Sequence, residues 1–336
     1  MPTIPATDNR LTWNGIASLE AGDGWLKPWR IPHQDQDLYS PGVSELAGRA
    51  EMASGVRIRF ASDTTELTLH TEPLLEGGNF DLYADDNLIA TASFSTGQTA
   101  THFANLPPGD KMLELWLSQA MPVAVRSLEI SAGSAIGRSE DTRLKWVTYG
   151  SSITHCRTAG SPSFTWPGVV ARGKNFNLTS FGFGGQCHAD PMMARLIRDR
   201  EADFLSIKIG INIYGGSSLG PRAFRPAIIG TIATIREGHP NTPFAVCSPI
   251  WGHDREDTPN SVGLTLQQMR LEIQEAVASF QKRGDTNLYY IDGLKLFNKD
   301  LAHHLPDNLH PDAEGYRLMG ENFLTEAFEI QDIKVA

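Results

Sequence analysis

Four short stretches of this 336-residue chain carry side chains suited to one reaction. YGSSIT (149–154) sets two consecutive serines, Ser151 and Ser152, in a glycine-led turn. A serine hydroxyl is a weak nucleophile until a base removes its proton, and histidine is the side chain suited to that near neutral pH. DNLHP (307–311) places Asp307 three residues before His310. One short turn could thus supply the base and the carboxylate that fixes its tautomer and stabilises its cation. FGFGGQCHAD (181–190) offers glycines that let a backbone N–H approach a ligand, and GIN (210–212) brings the Asn212 amide. Two backbone N–H groups and one amide would hold the oxyanion of a tetrahedral intermediate. The chemistry is acyl transfer through a serine ester.

Each piece has a plainer reading when taken alone. A serine in a turn before a helix is usually its N-cap. Asp307 and His310 could share a surface hydrogen bond, and the glycines could make only a tight turn, with Gly184 as well placed as Gly185. Asn212 could merely cap the turn after its strand. GSSLG (216–220) fits the G-x-S-x-G nucleophile elbow, but Pro221 follows it and NIYGG separates Ser218 from its strand, so Ser218 is set aside. His155 and His188 flank the proposed site in sequence and are pocket candidates. Trp251, in the strand-end loop SPIWGHDRED (248–257), is a candidate wall. No metal site is expected: His303 and His304 adjoin without the i, i+4 spacing of a zinc helix, and no cofactor is implied.

These residues need a frame that gathers them. From 144 onward, short apolar strands alternate with helical stretches: LKWVTY, NFNLTS, DFLSIKIG, PFAVCS and NLYYID, with helices near 189–200, 222–237, 262–283 and 312–328. In the third helix Leu266, Met269, Ile273 and Val277 share one face. Alternating strands and helices predict a parallel sheet covered on both sides, and ligands of such sheets sit outside the carboxyl ends of the strands. All four chemical pieces fall there. The first third instead shows period-2 alternation, as in VRIRF, ELTLHT and KMLELWL, which predicts an antiparallel β-sandwich. SAGSAIGRSEDTR (131–143) reads as the linker.

In this order YGSSIT, the glycine of GFGG, GIN and DNLHP resemble the four sequence blocks of SGNH hydrolases, the GDSL-type esterases, over residues 144–328. The resemblance implies a three-layer α/β/α flavodoxin-like catalytic domain over 136–336. It also implies Ser152 as nucleophile, His310 as base and Asp307 as its partner, with an oxyanion hole from Ser152, Gly185 and Asn212. GNFDLY (78–83) is similar to a GxDLY-like signature of a jelly-roll-like sandwich domain that precedes some of these enzymes, here 1–135. The expected activity is a serine esterase acting on a small-molecule ester, such as an acylated carbohydrate. The alternatives are an acyltransferase of specialised metabolism or a non-catalytic carbohydrate-binding protein. The chain departs from the family pattern twice: Ser151 stands where an acid is usual, and Ile213 follows the oxyanion asparagine.

Composition narrows the field. The net charge is -10 with no basic cluster, which argues against a nucleic-acid partner. No stretch approaches the roughly 20 apolar residues of a membrane span. Three cysteines without metal-ligand spacing and an N-terminus without a signal pattern read as a cytoplasmic protein with free thiols.

Overall fold

The computed structural model describes residues 1–335, and the chain divides into two compact units. The first comprises residues 1–40, 47–142 and the short stretch Ser161–Ser163. The second comprises 41–46, 143–160 and the chain from Phe164 on.

The first unit is built from two six-stranded antiparallel sheets. One has Val125–Ile130 between Leu67–Thr71 and Trp25–Trp29. In the other, Lys111–Trp116 lies between Arg57–Ser62 and Gly78–Ala84. Period-2 patterning works as expected: Leu67 and Leu69 are fully buried, whereas Thr68 and His70 are only half-buried. Their inward faces join Ile58, Phe60, Leu82, Leu115 and Leu128 in one apolar core. Ile136–Gly137 still pairs with Arg57–Ser62, so the sandwich reaches into the segment expected to be a linker.

GNFDLY supplies a buried anchor. The fully buried Asp81 accepts hydrogen bonds from Thr91 Oγ1 (2.6 Å), Ser161 Oγ (2.6 Å), and both the N–H (2.9 Å) and Oγ (2.7 Å) of Ser163. A carboxylate without water must be satisfied internally, and four donors do this.

The second unit is a five-stranded parallel sheet: β1 (Lys145–Gly150), β2 (Asn177–Gly182), β3 (Phe204–Lys208), β4 (Phe244–Cys247) and β5 (Leu288–Ile291), ordered 2-1-3-4-5. The order reverses at β1, so the crevice beside it is where a ligand of an open α/β sheet belongs. Its helices are α1 (Ser152–His155), α2 (Trp166–Lys174), α3 (Pro191–Arg198), α4 (Ile211–Gly216), α5 (Pro221–Gly238), α6 (Leu266–Gln281) and α7 (Ala313–Leu324), with further short turns between them. The four helix windows read from the sequence all hold helices.

Local chemistry sets the helix ends. Thr265 and Gln268 form a reciprocal capping box at the start of α6, and the apolar face of α6 is fully buried. Trp146 on β1 packs on Trp166 of α2 (5.9 Å) and Phe323 of α7 (5.8 Å). A Cβ on Gly320 of α7 would come within 2.7 Å of Val169, so the two helices approach more closely than a side chain there allows. This aromatic cluster seats α7 on the sheet, and the chain entering α7 carries Asp307 and His310.

Candidate active site

The serine turn resolves into two roles. Ser151 is the N-cap of α1: its Oγ accepts from Ile153 N–H at 3.3 Å, and its carbonyl accepts from Thr154 and His155. It is 1 % exposed. Where the family usually has a carboxylate, a neutral hydroxyl meets the orphan donor at lower desolvation cost than a buried charge. Ser152 is the first residue of α1, so intrahelical bonding leaves its N–H without an acceptor. Gly182 makes this placement possible, since a Cβ there would lie 2.3 Å from the His155 nitrogen.

The second piece arrives from the turn before α7. Asp307 Oδ1 accepts from the N–H groups of Leu309 (3.0 Å) and His310 (2.7 Å), while its Oδ2 lies 2.6 Å from His310 Nδ1. Asn308 adopts a left-handed φ of 60°, which closes the turn. Burial tends to raise the Asp307 pKa. Hydrogen bonds from the His310 backbone and ring, with the Leu309 N–H, outweigh it and hold the carboxyl below its usual range. Asp312 caps α7, accepting from Gly315 N–H at 2.8 Å, so Pro311 lies just ahead of the cap. Thr158 Oγ1 donates to Pro311 carbonyl (3.1 Å), tying the turn to the chain after α1.

His310 Nε2 lies 2.8 Å from Ser152 Oγ. With Nδ1–H donating to an ionised Asp307, the Nε2 lone pair is left to accept the serine proton. Three residues read from sequence at opposite ends of the unit thus form one continuous hydrogen-bonded chain.

The remaining donors converge on the same edge. Gly185 has a φ of 75°, a conformation that favours glycine, and no atom lies within 4 Å of where its Cβ would be. Gly184 N–H points to His155 Nδ1 at 3.4 Å, so Gly185 carries the uncommitted N–H of the pair. Asn212 Oδ1 accepts from Cys187 N–H at 3.0 Å. An N–H can only donate, so this contact fixes the amide flip and leaves Nδ2 as the outward group. Ile213, in place of the usual acid, is fully buried and packs instead of bonding.

The histidine candidates separate. His188 lines a cleft of about 290 Å³ with Gly185, Asn212, Tyr214, Arg255 and Leu309. Its Nε2 is 2.9 Å from the Gly185 carbonyl and its Nδ1 2.7 Å from Ser218 Oγ, so it holds the glycine turn at the cleft. His155 is 2 % exposed beneath that turn, which removes it from the pocket wall. Trp251 is half-buried, edge-on to His253 at 5.9 Å, and lines neither this cleft nor its neighbour. The neighbour, of about 310 Å³, is lined by Tyr214, His253, Arg255, Asp307 and Asn308 among others. Sequence reading missed Tyr214 and Arg255. Their only signal was position, directly after GIN and inside the strand-end loop searched for an aromatic wall. Among the described residues no group of three or more His, Cys, Asp or Glu side chains could hold a metal, and no helix is long and apolar enough to cross a membrane.

Comparison with known proteins accords with this geometry. A family model described as the GDSL-like Lipase/Acylhydrolase family matches residues 144–323, and one described as the SsfX3 N-terminal domain matches 11–125. The chain is similar over its full length to the salicylyl-acyltransferase SsfX3 from a tetracycline biosynthetic pathway: 30 % identity, TM-score 0.91, covering 100 % of this chain and 99 % of that one. A Bacteroides ovatus protein described as a GDSL-like lipase shares the fold at 21 % identity and TM-score 0.77, covering 99 % of each chain. So does a family two carbohydrate esterase from Clostridium thermocellum, at 16 % identity and TM-score 0.68, covering 96 % of this chain and 100 % of that one. None of the curated proteins compared matches the chain. With the family match spanning more than half of its length, the chain belongs to the GDSL-like lipase/acylhydrolase (SGNH) family and carries an SsfX3-like β domain in front of the catalytic one.

Proposed function

We propose that this protein is an acyltransferase: it takes an acyl group onto Ser152 and passes it to the hydroxyl or amine of a small molecule. The observation that carries the acyl-enzyme step is the Ser152–His310–Asp307 relay at 2.8 and 2.6 Å. The choice of transfer over hydrolysis is supported by the full-length similarity to a protein described as a salicylyl-acyltransferase. The carbohydrate esterases are more distant and speak for the fold alone.

Ser152 Oγ attacks the carbonyl carbon of the donor while its proton passes to His310 Nε2. The carbonyl oxygen becomes an oxyanion, held by the N–H groups of Ser152 and Gly185 and the Asn212 Nδ2 amide. Its collapse expels the donor's leaving group, which takes the proton from His310, and leaves the acyl group on Ser152. The acceptor then gives its proton to His310 Nε2 and attacks the acyl-enzyme. The second collapse returns the proton to Ser152 Oγ and releases the new ester or amide. Asp307 keeps its negative charge throughout and stabilises the imidazolium.

Hydrolysis is the second reading, with water as acceptor. It is favoured by the openness of the relay, whose His310 and Asp307 side chains are 31 % and 55 % exposed. The two separate on partitioning of the acyl-enzyme. An aryl ester donor is turned over with and without a panel of alcohols and amines, and free acid is measured against acylated acceptor. Transfer predicts that an acceptor diverts most of the acyl group; free acid alone across the panel selects hydrolysis.

A further inference from the structure

The cleft beside the relay contains one cationic side chain that the acyl-transfer steps do not use. Arg255 lines both the cleft at Asn212 and the one at Asp307. Its Nη1 donates to the carbonyls of His253 and Asn308, each at 2.8 Å. Neither partner carries a charge. Its other N–H donors find no acceptor, and it forms no ion pair, among the described residues. Of the carboxylates around it, Glu256 pairs with Arg270, Asp254 lies against His253, and Asp307 pairs with His310.

The segment that carries Arg255 is held firmly. Gly252 N–H donates to Glu256 Oε1 at 3.0 Å, and Arg270 Nη1 donates to Pro249 carbonyl at 3.2 Å. Arg255 carbonyl accepts the first N–H of α6 at 3.0 Å. Across the cleft, Tyr214 donates its hydroxyl to Thr258 carbonyl (3.0 Å) and accepts at its own carbonyl from Asn260 Nδ2 (3.1 Å), so the wall and the loop fix each other. A guanidinium held in place with open donors in a planar fork suits a carboxylate or phosphate, because such charge-assisted pairs are stronger than neutral ones and geometrically specific. Little ordering cost remains for binding to meet.

We propose that Arg255 is a specificity-determining residue that binds an anionic group of the substrate, so that this protein prefers a donor bearing a carboxylate or phosphate over a neutral one of the same size. The assignment rests on the acyl-transfer reading of the site. The anion can stand on the acyl group or on the leaving group, and matched donors distinguish the two. One pair is the p-nitrophenyl ester of succinate against that of its monomethyl ester. The other is a butyryl thioester of a phosphate-bearing aminoethanethiol against its uncharged N-acetyl counterpart.

For each pair the ratio of kcat/KM, charged over neutral, is measured in wild type, Arg255→Gln and Arg255→Lys. The wild-type ratio is expected to exceed about tenfold in at least one pair, corrected for intrinsic reactivity by the rate in buffer. Arg255→Gln should cut it at least about tenfold, and Arg255→Lys should restore part of it. Since Arg255 also holds the Asn308 carbonyl, a merely structural effect would slow both members of a pair equally and leave the ratio unmoved. An unmoved ratio, or a wild-type ratio near one in both pairs, overturns the proposal. The same ratios read as equilibrium dissociation constants on Ser152→Ala require no turnover. A protein that binds the charged donor selectively but never turns it over contradicts the acyl-transfer reading while upholding Arg255. One that turns over both members alike does the opposite.

Discussion

At the scale of single residues, the site works by distributing hydrogen bonds so that the reactive atoms are left over. Ser151 meets the cap donor of α1, which leaves Ser152 free to face His310. Cys187 N–H occupies the Asn212 oxygen, which leaves the amide nitrogen as donor. Asn212→Ala should therefore lower kcat by about 10²- to 10³-fold, the typical cost of one oxyanion donor, with little change in KM. A matching rise in KM with unchanged kcat would place Asn212 in ground-state binding instead. That Ser152, His310 and Asp307 come together was legible, because the residue types proposed for these roles are dictated by chemistry and their order along the chain is characteristic. Arg255 was not, because binding an undefined substrate imposes no spacing on a sequence. His155 was misplaced for a related reason: proximity in sequence to Ser152 does not tell which way a one-turn helix directs a side chain, and this one goes beneath the glycine turn.

Among elements, the strand ends matter more than the strands. β2 passes so close to α1 that only glycine fits at 182, where a Cβ would meet backbone atoms that cannot swing aside. Gly182→Ala is expected to displace α1, to lower activity by about tenfold or more, and to leave the core sheet and its circular dichroism intact, because a misplacement near 1 Å can cost about 10²-fold. Full activity in this variant would show that α1 tolerates a shift. The alternation of strand and helix was readable because apolar periodicity survives in any buried element, as in Leu266, Met269, Ile273 and Val277. Short elements such as α4 and the cap at Asp312 depend on local turn geometry, which periodicity does not encode. Asp81 shows the same limit: GNFDLY marks a strand, but nothing in it discloses that three of its four donors come from Ser161 and Ser163, about 80 positions on.

At the scale of the whole molecule, one buried cation limits stability. Lys208 at the end of β3 is 2 % exposed, and the groups that act on it are the thiols of Cys156, Cys187 and Cys247, which burial keeps protonated and neutral near pH 7, with no carboxylate among them. Burial pushes its pKa down from 10.5 to about 8. Below pH 8 the folded and unfolded chains both carry this proton, and the folded state bears the full cost of the buried charge. Between pH 8 and 10.5 the unfolded chain keeps the proton that the folded chain sheds, so stability rises with pH through that window. Lys208→Met should therefore stabilise the protein by up to about 3 kcal/mol at pH 7, falling towards zero near pH 10.5, as read by denaturant melts across the range. A stability gain independent of pH, or a loss at pH 7, would mean that Lys208 has a compensating partner when folded.

The claim on which all of this turns is that Ser152 is the residue acylated. Intact-mass and peptide mapping after exposure to a serine-directed aryl phosphonate tests it most directly. One adduct is expected on the native protein, on Ser152, absent from Ser152→Ala and strongly slowed in His310→Ala. No adduct, or one on Ser151 or Ser218 that survives Ser152→Ala, would contradict the account.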